Sequence, residues 1–176
     1  INAYMDLGIE VHQVYGMTET CGPACLIGPD DAKHKIGSTG KSFFHTRVRI
    51  ADSNGREMPR GEPGEIHVQG PHNMKEYWNR PDATAETVVD GWLHTGDVAV
   101  MDEEGFVTIQ DRMKDMIISG GVNVYPRDIE EIVAQHPDVQ EVTVLGIPHE
   151  KWGETPVAAV ILHKPASITA EALREW

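Results

Sequence analysis

The chain is poor in sulfur: Cys21 and Cys25 are the only cysteines among 176 residues. Two thiols make neither a disulfide framework nor a four-ligand zinc site, so both are expected to stay reduced, as in the cytoplasm. The 9 histidines stand singly, with no HxxxH or HxH pair, and metal binding by histidine is not expected. Long apolar runs are missing too. The longest, Val157 to Leu162, is far too short to span a bilayer. No basic-then-apolar segment opens the chain, where Asn2, Asp6 and Glu10 stand instead, and this again points to the cytoplasm. Positive charge is scarce, 15 basic against 28 acidic side chains, for a formal net charge of −13. A partner with a phosphate backbone needs a field of the opposite sign, which argues against nucleic acid. A nucleotide needs only a local site.

What is present is ordinary globular composition, 40% hydrophobic and 24% charged, with 17 glycines and 11 prolines to make turns. Residues 9–14 alternate like a short strand and lead into the turn-prone YGMTETCGP. Arg47 to Ile50 alternates again before Asn54-Gly55, a strong hairpin signal. Glu65 to Gln69 reads as a half-buried strand with Ile66 and Val68 on one face. Asp97 to Met101 and Phe106 to Gln110 form a second hairpin closed by Gly105. Three strand pairs with little helix between them predict a compact antiparallel barrel or sandwich.

After Asp111 the texture changes. MIISGGVNVYP predicts two short strands about a Gly-Gly turn, and Pro126 opens a helix in the first-turn position that proline tolerates. Ile129, Ile132, Val133 and His136 fall at helical spacing, with Pro137 as the stop. Strands at 139–147 and 155–162 follow, and Thr169 is the N-cap of a last helix. The fold class is therefore α+β: an antiparallel, β-barrel-like part over 1–111, then a small α+β domain over 112–176.

Four segments carry candidate chemistry: Tyr15-Gly16-Met17-Thr18-Glu19, Gly91 to Asp97 (GWLHTGD), Asp111 to Asp115 (DRMKD), and Ser119 to Pro126 (SGGVNVYP). Each alone reads as a turn or a hairpin. Gly37 to Ser42 (GSTGKS) imitates a phosphate-binding P-loop, but that pattern needs glycine where Lys35 stands, so it is read as a turn.

In this order and spacing the four segments resemble the adenylate-forming superfamily of acyl- and aryl-CoA synthetases, luciferases and peptide-synthetase adenylation domains. GEIHVQGPHNMKEYW and VLGIPHEKWGETPVAAVIL resemble further family segments, so the likeness covers the whole chain. It implies a ligase that joins a carboxylic acid to AMP from ATP and then passes the acyl group to a thiol. Bringing two anions together calls for positioning and charge neutralisation more than for a nucleophile. By resemblance, Tyr15 lies along the adenine, with Gln13, Val14 and Gly16 at its edge. Thr18 offers a hydroxyl to phosphate, and Glu19 is a hard oxygen ligand for Mg²⁺. Asp97 accepts from the ribose hydroxyls, and Arg112 binds near ribose or phosphate. Lys114 occupies the family's hinge, while Gly120 and Gly121 line the passage for CoA.

The resemblance also implies that a phosphate-gripping loop lies upstream of Ile1 and a reactive lysine beyond Trp176. The chain is thus expected to be the C-terminal part of a fatty-acyl- or aryl-CoA ligase, dependent on its N-terminal domain and inactive alone. A domain that loads a carrier protein is the alternative.

Overall fold

A computed structural model describes residues 2–165 and 167–176, which divide into two compact units, Ile1–Ile109 and Gln110–Trp176. Among the described residues no helix is long and apolar enough to cross a membrane. The architecture is α+β with antiparallel sheets, as the sequence implies.

The first unit opens with helix α1 (Asn2–Met5) and then strand β1 (Val14–Met17). Residues 9–13 alternate but form no ladder, Gln13 giving only its carbonyl to Ile27 N–H, so the strand expected over 9–14 begins at its last residue. A single 3-10 turn, Thr18–Thr20, connects β1 to β2 (Gly22–Leu26). Helix α2 (Pro29–Ala32) follows, and β3 (Lys41–Ser42) completes a three-stranded sheet in the order β1-β2-β3. The second sheet holds β4 (Arg47–Ala51), β5 (Gly64–Gln69), β6 (Val88–Val89) and β7 (Trp92–Met101) in the order β4-β5-β7-β6, with β8 (Val107–Arg112) also on β7. Tyr15, Ala24 and Cys25 of the first sheet share one core with Ile50, Ile66, Val68, Leu93, Ala99 and Val107 of the second.

Two expectations need correction here. Ile66, His67 and Val68 are all fully buried, because β5 is a central strand covered on both faces rather than half-buried. The interval after β5 is also not helix-poor, since α3 (Pro81–Thr87) fills part of it.

The GSTGKS segment is a turn only at Gly37; it then enters the sheet, with Lys41–Ser42 forming β3. Gly40 bridges to Val107 and has φ +96°, and a Cβ there would lie 2.0 Å from the Leu26 carbonyl oxygen. Any side chain meets both a clash with backbone and a left-handed conformation. Gly40→Ala is therefore expected to destabilise the first unit by several kcal/mol, about 3 or more. A denaturation midpoint within error of the parent would refute this.

The second unit carries β9 (Ile117–Ser119), β10 (Val122–Val124), β11 (Val139–His149) and β12 (Gly153–Leu162) in the order β10-β9-β12-β11. Helix α4 (Pro126–Val133) starts on its proline and packs on β11, where Glu130 Oε1 accepts from Val144 N–H at 2.7 Å. It stops four residues before Pro137, as the chain tightens through turns at Gln135 and His136. Helix α5 (Ala170–Glu175) is capped as expected, with Thr169 Oγ1 accepting from Ala172 N–H at 3.2 Å.

Candidate functional site

The TGD tripeptide is held by a break in the sheet. Between β5 and β7, Glu65 faces Val98 and His67 faces His94, so Ile66 alone opposes Thr95, Gly96 and Asp97. Two extra residues on β7 form a bulge, a device that re-aims a side chain out of the ladder. Each residue of the tripeptide has a local reason to be what it is. The Thr95 hydroxyl donates to the Ile66 carbonyl at 2.8 Å and accepts from Asp97 N–H at 3.1 Å. Gly96 adopts φ +73°, and its N–H donates to Glu65 Oε1 at 2.8 Å. Asp97 is turned toward β1, where its carboxylate accepts from the Tyr15 hydroxyl at 2.7 Å across 82 residues of sequence.

Tyr15 is itself a core residue, only 8% exposed. Burial, and then the carboxylate beside it, push its hydroxyl far above the usual tyrosine range, so it stays a donor. Gln13 precedes β1 and accepts from Ile27 N–H through its carbonyl. Val14 is exposed, and Gly16 continues β1 opposite Pro23. Thr18 is exposed at the start of the 3-10 turn, which buried Thr20 closes with bonds to the Met17 and Gly22 carbonyls. Glu19 is half-buried, and its Oε1 accepts from the Tyr77 hydroxyl at 2.8 Å. Its backbone carbonyl takes Met74 N–H at 2.7 Å, so the loop after β5 clamps this turn. Sequence reasoning did not single out Tyr77, because a tyrosine 58 residues away carries no local sign of that contact. The first unit thus brings Tyr15 and Asp97 into direct contact, with Glu19 further along the same turn.

The cysteines beside this turn differ. Cys21 is exposed, in a left-handed conformation at φ 51°. Cys25 is buried, and burial pushes its thiol up to about 12.

Arg112 and Lys114 lie in the second unit. Asp111 accepts from Arg112 N–H through Oδ1 at 2.7 Å and from Arg127 N–H through Oδ2 at 3.2 Å. One carboxylate therefore ties the end of β8 to the first turn of α4, where acidic groups are favoured. Lys114 is the third residue of the turn that follows, closed by Asp115 N–H to the Arg112 carbonyl at 3.0 Å. Gly120 and Gly121 form the turn between β9 and β10, as read. A Cβ on Gly120 would lie 2.7 Å from the Trp152 ring, while one on Gly121 would meet open space.

The sheet also gathers groups the sequence scatters. Glu65, His67 and His94 present possible ligand atoms within 4.8 Å of one another. Glu65 Oε2 lies 3.1 Å from His67 Nε2 and 3.4 Å from His94 Nδ1, and the two imidazoles stack at 3.8 Å. Arg49 Nη2 faces the other nitrogen of His67, Nδ1, at 3.3 Å. Arginine only donates, which puts the His67 proton on Nε2, donating to Glu65. The cluster is a hydrogen-bonded chain, Arg49 to His67 to Glu65 to Gly96.

The family described as "AMP-binding enzyme" matches residues 2–78, and the family described as "AMP-binding enzyme C-terminal domain" matches residues 128–176. The chain belongs to the AMP-binding enzyme family. Among its relatives, a 2-succinylbenzoate–CoA ligase of Bacillus cytotoxicus is 46% identical over 98% of this chain and 35% of its own length. A long-chain-fatty-acid–CoA ligase of Escherichia coli is 49% identical over 90% of this chain and 28% of its own length. The o-succinylbenzoate CoA synthetase of Bacillus subtilis in complex with its acyl-adenylate intermediate superposes with a TM-score of 0.91, at 41% identity, over 99% of this chain and 35% of that one. With ATP and magnesium ion the same synthetase gives 0.86 at 41% identity, over 94% of this chain and 34% of that one. This AMP-binding enzyme chain spans about a third of the length of the relatives it matches.

Proposed function

We propose that this chain is the C-terminal part of an AMP-forming acid–thiol ligase, which uses ATP to convert a carboxylic acid to acyl-AMP and transfers the acyl group to CoA. The observation that carries this reading is the Tyr15–Asp97 hydrogen bond, which joins two distant motifs into one wall. In this reading residues 1–111 end a large N-terminal domain, residues 112–176 are the start of a small C-terminal one, and the enzyme is cytoplasmic.

Asp97 receives the ribose hydroxyls, held in place by Tyr15, whose remaining exposed edge borders the adenine beside Gln13, Val14 and Gly16. Thr18, exposed at the start of the turn, donates its hydroxyl to phosphate. Glu19 fits a magnesium ion, since it is a half-buried carboxylate whose Oε1 is steadied by Tyr77. The ion, when bound, supplies charge neutralisation to the phosphates. Arg112 adds a permanent positive charge near ribose or phosphate. Lys114 is the pivot between the acid-activating and thioester-forming arrangements. Gly121 offers the unobstructed surface along the CoA arm, and Gly120 keeps Trp152 close behind it.

The relatives name acids as different as 2-succinylbenzoate and long-chain fatty acids. We assign a fatty or aryl acid, with fatty acids first to be tested. The full-length protein is expected to release pyrophosphate from ATP only with its acid present, and to form a CoA thioester. The 176-residue chain alone is expected to release none above a no-enzyme blank. Thioester formation on a carrier protein but not on CoA would instead establish the carrier-loading alternative.

A further inference from the structure

We infer that Glu65 is a positioning residue for the Asp97 carboxylate, acting through the bulge backbone. This rests on the reading of Asp97 as the ribose contact. A bulge takes its backbone groups out of the ladder, and they need other partners. Thr95 supplies one for Ile66 C=O and for Asp97 N–H. Glu65 supplies the other, accepting the Gly96 N–H at 2.8 Å one residue before the carboxylate to be aimed.

Glu65 is fixed in turn from behind. Its Oε2 accepts from fully buried His67, which is oriented by Arg49, whose guanidinium lies 4.1 Å over the Trp92 ring. A carboxylate suits this position because it must accept on both oxygens, from Gly96 N–H and from His67 Nε2–H. An amide of the same shape accepts on one side only. With Arg49 barring the other tautomer of His67, Glu65→Gln must leave one donor facing an NH₂ group. The change keeps the volume of the side chain, so the fold is retained while the aim of Asp97 is lost.

The test uses the full-length protein with four variants: Glu65→Gln, Glu65→Ala, Asp97→Ala and the double change Glu65→Gln/Asp97→Ala. We expect Glu65→Gln to raise the ATP KM about tenfold, as for loss of a hydrogen bond to a charged group, with the KM for the carboxylic acid unchanged. Glu65→Ala, which removes both acceptors, raises it at least as much. The double variant is no worse than Asp97→Ala alone, because a residue acting only through Asp97 has nothing left to act on. If Asp97→Ala raises the ATP KM but neither Glu65 variant does, or if the effects multiply in the double variant, the positioning role is overturned. If Asp97→Ala leaves the ATP KM unchanged, it is the ribose reading that fails.

Discussion

Replacing Asp97 by alanine in the full-length protein is expected to raise the ATP KM about 10- to 150-fold, the equivalent of roughly 1.5–3 kcal/mol for a lost charged hydrogen-bond partner. Asp97 is only 7% exposed and its carboxylate already accepts from Tyr15, so it is preorganised to receive further donors without moving. Asp97→Asn separates two roles. An amide oxygen still accepts from Tyr15 and preserves the wall, but a single acceptor cannot serve two vicinal hydroxyls. The Asn variant should therefore fold like the parent and fall between parent and alanine in ATP KM. Equal ATP KM values for parent and alanine variant, measured at saturating acid, would mean that Asp97 serves the fold alone.

The second large effect is expected at Lys114. The turn that holds it is closed by Asp115 and Met116 N–H groups on the Arg112 carbonyl, so the bonds that close the turn do not use the Lys114 N–H. Proline there would fix φ and disfavour the helical geometry at Met113 that these bonds need, narrowing the conformations open to the turn. On the upstream side, Asp111 ties the end of β8 to α4. Because α4 lies downstream of Lys114, a rotation there must break the Asp111 bond to Arg127 N–H, at 3.2 Å the longer of the two. Lys114→Pro is expected to lower CoA thioester formation at least about tenfold more than ATP–pyrophosphate exchange, a barrier difference of roughly 1.4 kcal/mol. Lys114→Ala, which removes the charge and leaves the backbone free, should change that ratio little. Equal losses in both half-reactions for Lys114→Pro would sink the pivot, and so would an alanine variant as damaged as the proline one.

The strands were legible wherever alternation and turn chemistry agreed. Val107 to Arg112 pairs back on β7 across Gly105, and Ile117 to Ser119 faces Val122 to Val124 about Gly120-Gly121, as their sequences imply. Alternation misled at residues 9–13, since a strand also needs a neighbour to bond to, and the Ile9 N–H turns back to Tyr4 instead. Helix α3 was missed because it buries no residue and so writes no apolar stripe, leaving only Pro81 and Asp82 as signals. The four motifs were found from their order, yet the reason TGD aims an aspartate was invisible. It depends on two residues of slippage against β5, which a one-dimensional pattern does not record. His67 was likewise hidden, because nothing local reveals that its strand is covered on both sides.

The contrast between the two thiols turns the chain into a singly addressable molecule. At neutral pH a thiol-directed reagent needs both access and a thiolate, and Cys25, buried and shifted to about 12, has neither. Cys21 stands in solvent two residues from Glu19. A fluorophore or spin label attached without mutagenesis would therefore sit beside the turn that presents Thr18 and Glu19, as a built-in reporter of whatever arrives there.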